Sequence, residues 1–410
     1  MLKFFVIDII NNGDSMRNVG TVVRGIRTPI IKDGDDLKRI VVDSLLKAQK
    51  SEGFEFRDRD IVAITEAVVG IANGNYVTVD QISEDIHRKF KTKHIGVLFP
   101  ILSRNRFAVL LSAIARGMDK ITLQISYPSD EVGNDILDKE RMKKLGINPY
   151  DYVLTEKEYH EKFGDWKHIF TGVNMVDVYR ELIEKEGCKA EIILANDPCE
   201  ILKHVDDVLV CDIHSRFDTK KALKEQSKGK VIGLDEICTE PIDGSGYNAE
   251  YGLLGSNRST EERVKLFPRK DENFVYGIQN MLKQKTGKTI EVMIYGDGAF
   301  RDPVGKIWEL ADPVVSPCYT RGLEGSPNEL KLKYLSDNKF SDLRGEELNE
   351  AMRNAIREKD KDLKGKMETQ GTTPRRYTDL IGSLCDLTSG SGDKGTPVIY
   401  IQGYFDNYAN

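Results

Sequence analysis

No two cysteines of this 410-residue chain stand in a C-x-x-C spacing. The six (Cys188, Cys199, Cys211, Cys238, Cys318 and Cys385) lie far apart, so neither a zinc site nor a disulfide framework is indicated. Free thiols in a reducing, cytoplasmic compartment are the expectation. Positive charge is not in excess either. A net charge of −6 gives no general attraction to nucleic acid or to an anionic membrane. No apolar run nears the ~20 residues that cross a bilayer. The opening, MLKFFVIDIINNGDS, lacks a basic n-region and a small-residue cleavage site, and reads as a first strand rather than a signal peptide. Also missing are an internal repeat, a Walker A spacing, an H-x-x-E-H grouping and a G-x-S-x-G elbow. The last absence disfavours hydrolysis through a covalent serine intermediate.

What is present is ordinary globular material, 40% hydrophobic and 31% charged, of a length that fits two or three domains. Residues 20–36, TVVRGIRTPIIKDGDD after Gly20, read as a loop leading into an amphipathic helix from about Leu37 to Lys50. Asp35 and Asp36 stand at its start, where carboxylates satisfy orphan N–H groups. A strand (DIVAIT), the stretch EAVVGIANGNYV, a helix, the strand HIGVLFP, a helix at Arg106–Arg116 and the strand KITLQISYP follow. That order is α/β alternation. Between residues 141 and 245, HIFTG, AEIILAN, DDVLVCDI and KVIGLD are short apolar runs separated by helices, the pattern of a small parallel sheet. The region has no G-x-G-x-x-G, so a dinucleotide site there is not expected. The division is therefore 1–140, the N-terminal part of a core; 141–245, an inserted Rossmann-like α/β unit; and 246–410, completing the core. From Tyr247 a loop, YGLLGSNRSTEERVKLFPRK, leads to a helix and then to the strand TIEVMIYGDG. Helices of mixed charge occupy Asn328–Lys366 and read as solvated surface or lid. A helix, a glycine loop and the strand VIYIQGY close the chain.

Four segments are candidates for chemistry. In EVMIYGDGAFRD (Glu291–Asp302) a buried strand runs into Gly-Asp-Gly. A carboxylate at a strand's C-terminal end is placed to hold a hard cation beside phosphates, although a plain tight turn needs the same residues. GSGDKGTP (Gly390–Pro397) offers successive backbone N–H groups and Lys394 to an anion; a flexible turn is the commoner meaning. RGIRTPIIKDGDD (Arg24–Asp36) combines Gly25, Arg27 and Thr28 ahead of a helix N-terminus, suited to phosphate, although an ordinary loop with a proline-fixed turn has the same residues. LGSNR (Leu254–Arg258) presents Ser256, Asn257 and Arg258 as polar donors. SRNR at Ser103–Arg106, DEVGN at Asp130–Asn134 and the Asn196–Asp197–Pro198 turn are read as structural.

In this order the segments resemble the coenzyme F420-0:γ-glutamyl ligase family. GIRTPIIKDGDDL (Gly25–Leu37) is similar to the family's N-terminal loop ending in Gly-Asp-Asp-Leu. IVAITEAVVGIANG (Ile61–Gly74) resembles its strand and AEG motif, and GLLGSN (Gly252–Asn257) its Gly-Ile-Asp-x-Ser-Asn loop. IYGDGAFR (Ile294–Arg301) resembles the strand ending in Asp-Thr-x-Gly-Arg, and GSGDKGTPVIYIQG (Gly390–Gly403) the C-terminal glycine loop and strand. The resemblance implies a mixed α/β ligase core interrupted by the inserted unit. It implies an enzyme that adds L-glutamate in γ-glutamyl linkage to a carboxylate-bearing small molecule through an acyl phosphate, using GTP or ATP with Mg²⁺ or Mn²⁺. It also implies a homodimer. Carried over residue by residue, Gly25, Ile26, Arg27, Thr28, Glu66, Asn257, Gly390, Ser391, Gly392, Asp393, Lys394 and Gly395 hold the nucleotide. Asp297 is the metal ligand, and Asp297 with Arg301 the catalytic pair.

The chain departs from the family at four points. Leu254 replaces a metal-binding Asp, Ser391 a Glu and Gly298 a Thr, and no lysine stands near Glu66–Gly70. Glu66, Asp302 and Asp393 are the carboxylates left to compensate. The acceptor is open between the deazaflavin precursor and a folate. A non-catalytic nucleotide- or ligand-binding protein on the same fold is the alternative. An oxidoreductase using the inserted unit is the least favoured, for want of a dinucleotide fingerprint.

Overall fold

The computed structural model describes residues 18–104, 106–168, 171–296, 299–301, 308–310, 316–369, 375–388 and 392–409. The expected N-terminal first strand lies outside them. In chain order the strands are β1 (Val22–Ile26), β2 (Ile61–Thr65), β3 (Tyr76–Thr78), β4 (His94–Leu98), β5 (Lys120–Ile125), β6 (Leu154–Thr155), β7 (Lys189–Leu194), β8 (Val208–Val210), β9 (Val231–Gly233), β10 (Asn257–Arg258), β11 (Arg263–Lys265), β12 (Glu291–Tyr295), β13 (Ala299–Arg301), β14 (Trp308–Leu310) and β15 (Val398–Gln402). The chain divides into two compact units. The first comprises Met1–Pro29, Lys38–Thr65 and Asp271–Asn410; the second comprises Ile30–Leu37 and Glu66–Lys270.

The first unit is built on a four-stranded sheet in the order β1-β15-β2-β12. β15 runs antiparallel to both neighbours, and β12 runs parallel to β2. β2, β12 and β15 are mainly apolar and almost wholly buried, as expected of strands covered on both faces. Ile61, Ala63, Met293, Ile399 and Ile401 form the core with Ile381 and Cys385 of the helix Tyr377–Thr388. The helix Glu272–Thr286 starts where Asp271 accepts the Phe274 N–H, and stops at left-handed Gly287. Residues 22–26, expected as loop, are a strand. Val-Val-Arg-Gly-Ile pairs with β15 on one side only, and an edge position tolerates the glycine that lowered its strand signal.

The second unit holds a six-stranded sheet in the order β6-β7-β5-β4-β8-β9. All neighbours are parallel except the edge pair β6–β7. Numbered by sequence, the five parallel strands lie in the order 3-2-1-4-5, a doubly wound arrangement that reverses direction between β4 and β8. One core cluster packs Ile95, Val97, Ile121 and Leu123 against the helices Val79–Phe90, Phe107–Ala115 and Met175–Lys185. A separate cluster joins Leu98, Val208 and Val210 to Ile201 and Leu223. The unit takes in β4 and β5 as well as the strands of 141–245, because β5 is the partner of β7 and β4 the partner of β8. Of the expected strand HIFTG, residues 169 and 170 lie outside the described residues. The rest is a turn, in which the Gly172 N–H donates to the His168 carbonyl. A small sheet, β10-β11-β3, makes a hairpin of part of the expected 247–270 loop.

Candidate functional site

At one end of the first unit's sheet, four elements finish or begin together. Ile26, the last residue of β1, pairs with Val398, the first of β15; Val398 pairs with Ile64, and Tyr295 at the end of β12 pairs with Thr65. Two predicted segments meet just beyond this edge. The Thr28 N–H donates to the Gly395 carbonyl at 3.3 Å, and the Thr65 N–H to Pro397 at 3.0 Å. Gly25 is needed for the approach: a β-carbon there would stand 3.0 Å from the Thr396 β-carbon. The loop is a tight turn, with Gly395 in the left-handed region and its N–H bonded to Gly392. A side-chain atom at Gly392 or Gly395 would meet no heavy atom within 4 Å. Backbone at both positions is therefore open to a ligand. Arg27, Asp393 and Lys394 are exposed beside it. Ile26 is buried, so its side chain serves the core and only its backbone belongs to the loop.

Asp297, Gly390 and Ser391 lie outside the described residues, as does Asp302. Arg301 ends β13. Asp297 is separated from the β12 terminus by Gly296 alone, and β12 ends at the same edge as β2.

Within the second unit, Glu66 and Asn257 are linked through a residue that sequence reasoning missed. The Lys265 ammonium donates to both Glu66 carboxylate oxygens, at 3.0 and 2.9 Å. The two side chains are only 9% and 12% exposed. Lys265 is the cross-strand partner of Asn257. Its stem runs over Gly70, where a β-carbon would come within 3.2 Å of the Lys265 Cδ. The cation that meets Glu66 comes from about 200 residues away in sequence. Its only sequence signal is a cation inside the short run RVKLF, of which Val264, Lys265, Leu266 and Phe267 are all buried. Beside Asn257, the buried Ser256 hydroxyl has no hydrogen-bond partner among the described residues. Leu254 is 8% exposed and belongs to the main apolar cluster. A carboxylate there would lie among hydrocarbon, which is costly without a cation.

The sequence profile described as F420-0:Gamma-glutamyl ligase matches residues 25–403. The chain belongs to the F420-0:gamma-glutamyl ligase family. No curated protein matches it. The family match spans both units and takes in residues 141–245, and the mixed α/β architecture accords with a ligase fold. No described helix is long and apolar enough to cross a membrane. A γ-glutamyl ligase of this family works on small molecules. Among the described residues, however, no three His, Cys, Asp or Glu side chains gather as metal ligands. A larger cavity, of about 540 Å³, lies among the helices between Leu330 and Glu368, and none of the predicted site residues lines it.

Proposed function

We propose that the chain is a nucleotide-dependent ligase that joins L-glutamate, in γ-glutamyl linkage, to a carboxylate-bearing small molecule. The observation that carries this reading is the meeting of Gly25–Thr28 with Gly392–Pro397 at the edge where β2 and β12 end. Both segments are those the family resemblance assigns to the nucleotide. In the reaction, an acceptor carboxylate oxygen attacks the γ-phosphorus of GTP or ATP and the nucleoside diphosphate leaves. The glutamate amine then attacks the acyl carbon, losing a proton, and inorganic phosphate departs. Such chemistry asks the protein mainly for positioning and charge stabilisation. The open backbone at Gly392 and Gly395 and the exposed Arg27 and Lys394 are suited to phosphate oxygens. The described residues alone do not make up a divalent-metal site. Asp297 is the proposed Mg²⁺ or Mn²⁺ ligand, and Arg301 its catalytic companion.

Titration calorimetry with GTP and ATP, in the presence of Mg²⁺ or Mn²⁺, tests the reading; binding of neither nucleotide would sink it. With binding in hand, Asp297→Ala should weaken metal-dependent affinity by about 1–3 kcal/mol, and unchanged affinity removes Asp297 from the site. Phosphate release that needs both glutamate and an acceptor, tried with the deazaflavin precursor and a folate, completes the test. Light scattering checks the homodimer.

A second reading, a non-catalytic binder on the same fold, is favoured by one observation. The Glu66 carboxylate is engaged by Lys265 and Leu254 is sunk in the core, so two positions that could carry metal chemistry are otherwise occupied. Nucleotide binding without phosphate release for any acceptor would select it.

A further inference from the structure

The second unit has a built cavity that the ligase reading does not use. In doubly wound sheets, ligands bind outside the carboxyl ends of the strands, where the strand order reverses. Here that point lies between β4 and β8, and a cavity of about 190 Å³ opens there. Its wall comes from the residues just past the strand ends: Phe99 after β4, Ser126 after β5, Asn196 after β7 and Asp212 after β8, joined by Asp130 and Glu131. Two turns that the sequence marks as structural, DEVGN and Asn-Asp-Pro, are thus brought to one place. The volume is below the ~300 Å³ at which drug-sized sites begin, so the occupant is a small molecule or the head of a larger one.

The lining determines the sign of the ligand's charge. Switch points of nucleotide-binding sheets present N–H groups to phosphate. This one presents three carboxylates. Two are already engaged. Asp130 accepts the N–H groups of Leu102, Val132 and Asn134 and the Asn134 amide. Glu131 accepts the N–H groups of Ile213 and His214 and the Ser215 hydroxyl. Asp212 is different. It is 2% exposed, one of its oxygens accepts the Thr219 hydroxyl at 2.8 Å, and Oδ1 has no partner among the described residues. The Ser215 hydroxyl, which also favours ionised Asp212, donates to Glu131, and Arg216, whose charge acts the same way, directs its N–H groups to the Ile213 carbonyl and to Asp235. A second acceptor without a partner, Gln124 Oε1, lies two residues ahead of Ser126 on β5; the Gln124 amide nitrogen is committed to the carbonyls of Ala195 and Asp197. Acceptors are in surplus at this edge, and a buried acceptor left alone is costly. Burial holds the carboxyls of Glu131 and Asp212 above their ordinary values despite the hydrogen bonds they accept.

We propose that this switch-point cavity binds a small primary ammonium compound, whose N–H groups donate to Asp212 Oδ1 under the field of Asp130 and Glu131. Phosphate and carboxylate ligands are excluded by the same charges.

Calorimetry on the full chain with ethylammonium chloride, against potassium chloride at equal ionic strength, reads the proposal. Saturable binding is expected, weakened tenfold or more by Asp212→Asn. A parallel soak of wild-type crystals with 2-bromoethylammonium should give a bromine anomalous peak in the cavity. That measurement decides the matter if the variant does not fold. The proposal is overturned by no binding beyond the potassium control, by equal binding to folded Asp212→Asn, by a bromine peak only elsewhere, or by tighter binding of phosphate or Mg²⁺ at this cavity. No nucleotide enters these measurements, so their failure leaves the ligase reading intact, and the reverse holds.

Discussion

At the scale of single residues, the Glu66–Lys265 pair makes the sharpest claim. Removing one partner of a buried ion pair leaves the other charge desolvated, at a cost of about 3–5 kcal/mol, whereas replacing both with apolar groups is often neutral. Lys265→Ala should therefore lower stability in urea unfolding by about that amount. Glu66→Leu/Lys265→Met should recover most of it. A single variant within about 1 kcal/mol of wild type would mean that water reaches the pair. Asp60 supports a pH prediction. It is 1% exposed and accepts the Tyr400 hydroxyl and the N–H groups of Arg57 and Gly403, yet burial still holds its carboxyl above its ordinary value. A raised carboxyl binds its proton more tightly in the folded state. Its contribution is complete below the unfolded value and is lost as pH rises through the folded one. Measured from about pH 4 upward, the urea midpoint of wild type relative to Asp60→Asn should fall and then level off. A difference that grows with pH would contradict the assignment.

At the scale of elements, the meeting of β1 with the C-terminal loop depends on Gly25. Gly25→Ala places a β-carbon against the Thr396 β-carbon at 3.0 Å, a branched and rigid neighbour, so the strand end must move. Overpacking of this kind costs about 1–3 kcal/mol. Nucleotide affinity should drop with it, because the Thr28–Gly395 hydrogen bond holds the two loops in register. Calorimetry that finds wild-type affinity in a Gly25→Ala variant of reduced stability would separate the loop from the nucleotide. The same elements explain what the sequence made legible. Periodicity and apolar runs located β2, β4, β5, β7, β8, β9, β12 and β15, because strands buried on both faces are mostly apolar. β1 was hidden by its arginine and glycine, which an edge strand accepts. The β10–β11 hairpin was hidden by charge: Arg263 and Lys265 flank one buried valine, and nothing local says that the lysine turns inward. Glycine loops were readable as loops, whereas their meeting is a property of the sheet's register. The switch-point cavity was unreadable for a related reason, since its wall draws one or two residues from each of several strand ends.

At the scale of the whole molecule, the two units have separate apolar clusters, and a chain of this kind need not unfold in one step. Ligands then act as labels. A ligand that binds only the folded form of one unit raises that unit's stability by ~2.7 kcal/mol at ~100 times its Kd. Every residue at the switch-point cavity belongs to Glu66–Lys270. Ethylammonium should thus protect amides of β4, β5, β7 and β8 from hydrogen exchange, along with the segment Asp130–Asn134. It should leave β15 and β12 at their unliganded rates. GTP, if it sits on Gly25–Thr28 and Gly392–Gly395, should protect Thr28 and Thr65, whose N–H groups already donate to the C-terminal loop. Exchange measured peptide by peptide reads both ligands in one experiment. Protection of both units by the amine alone would mean that the units unfold as one cooperative body or that the amine binds elsewhere. The bromine position from the soaked crystal tells these apart, because only cooperative unfolding leaves the bromine in the cavity while protecting strands of the first unit.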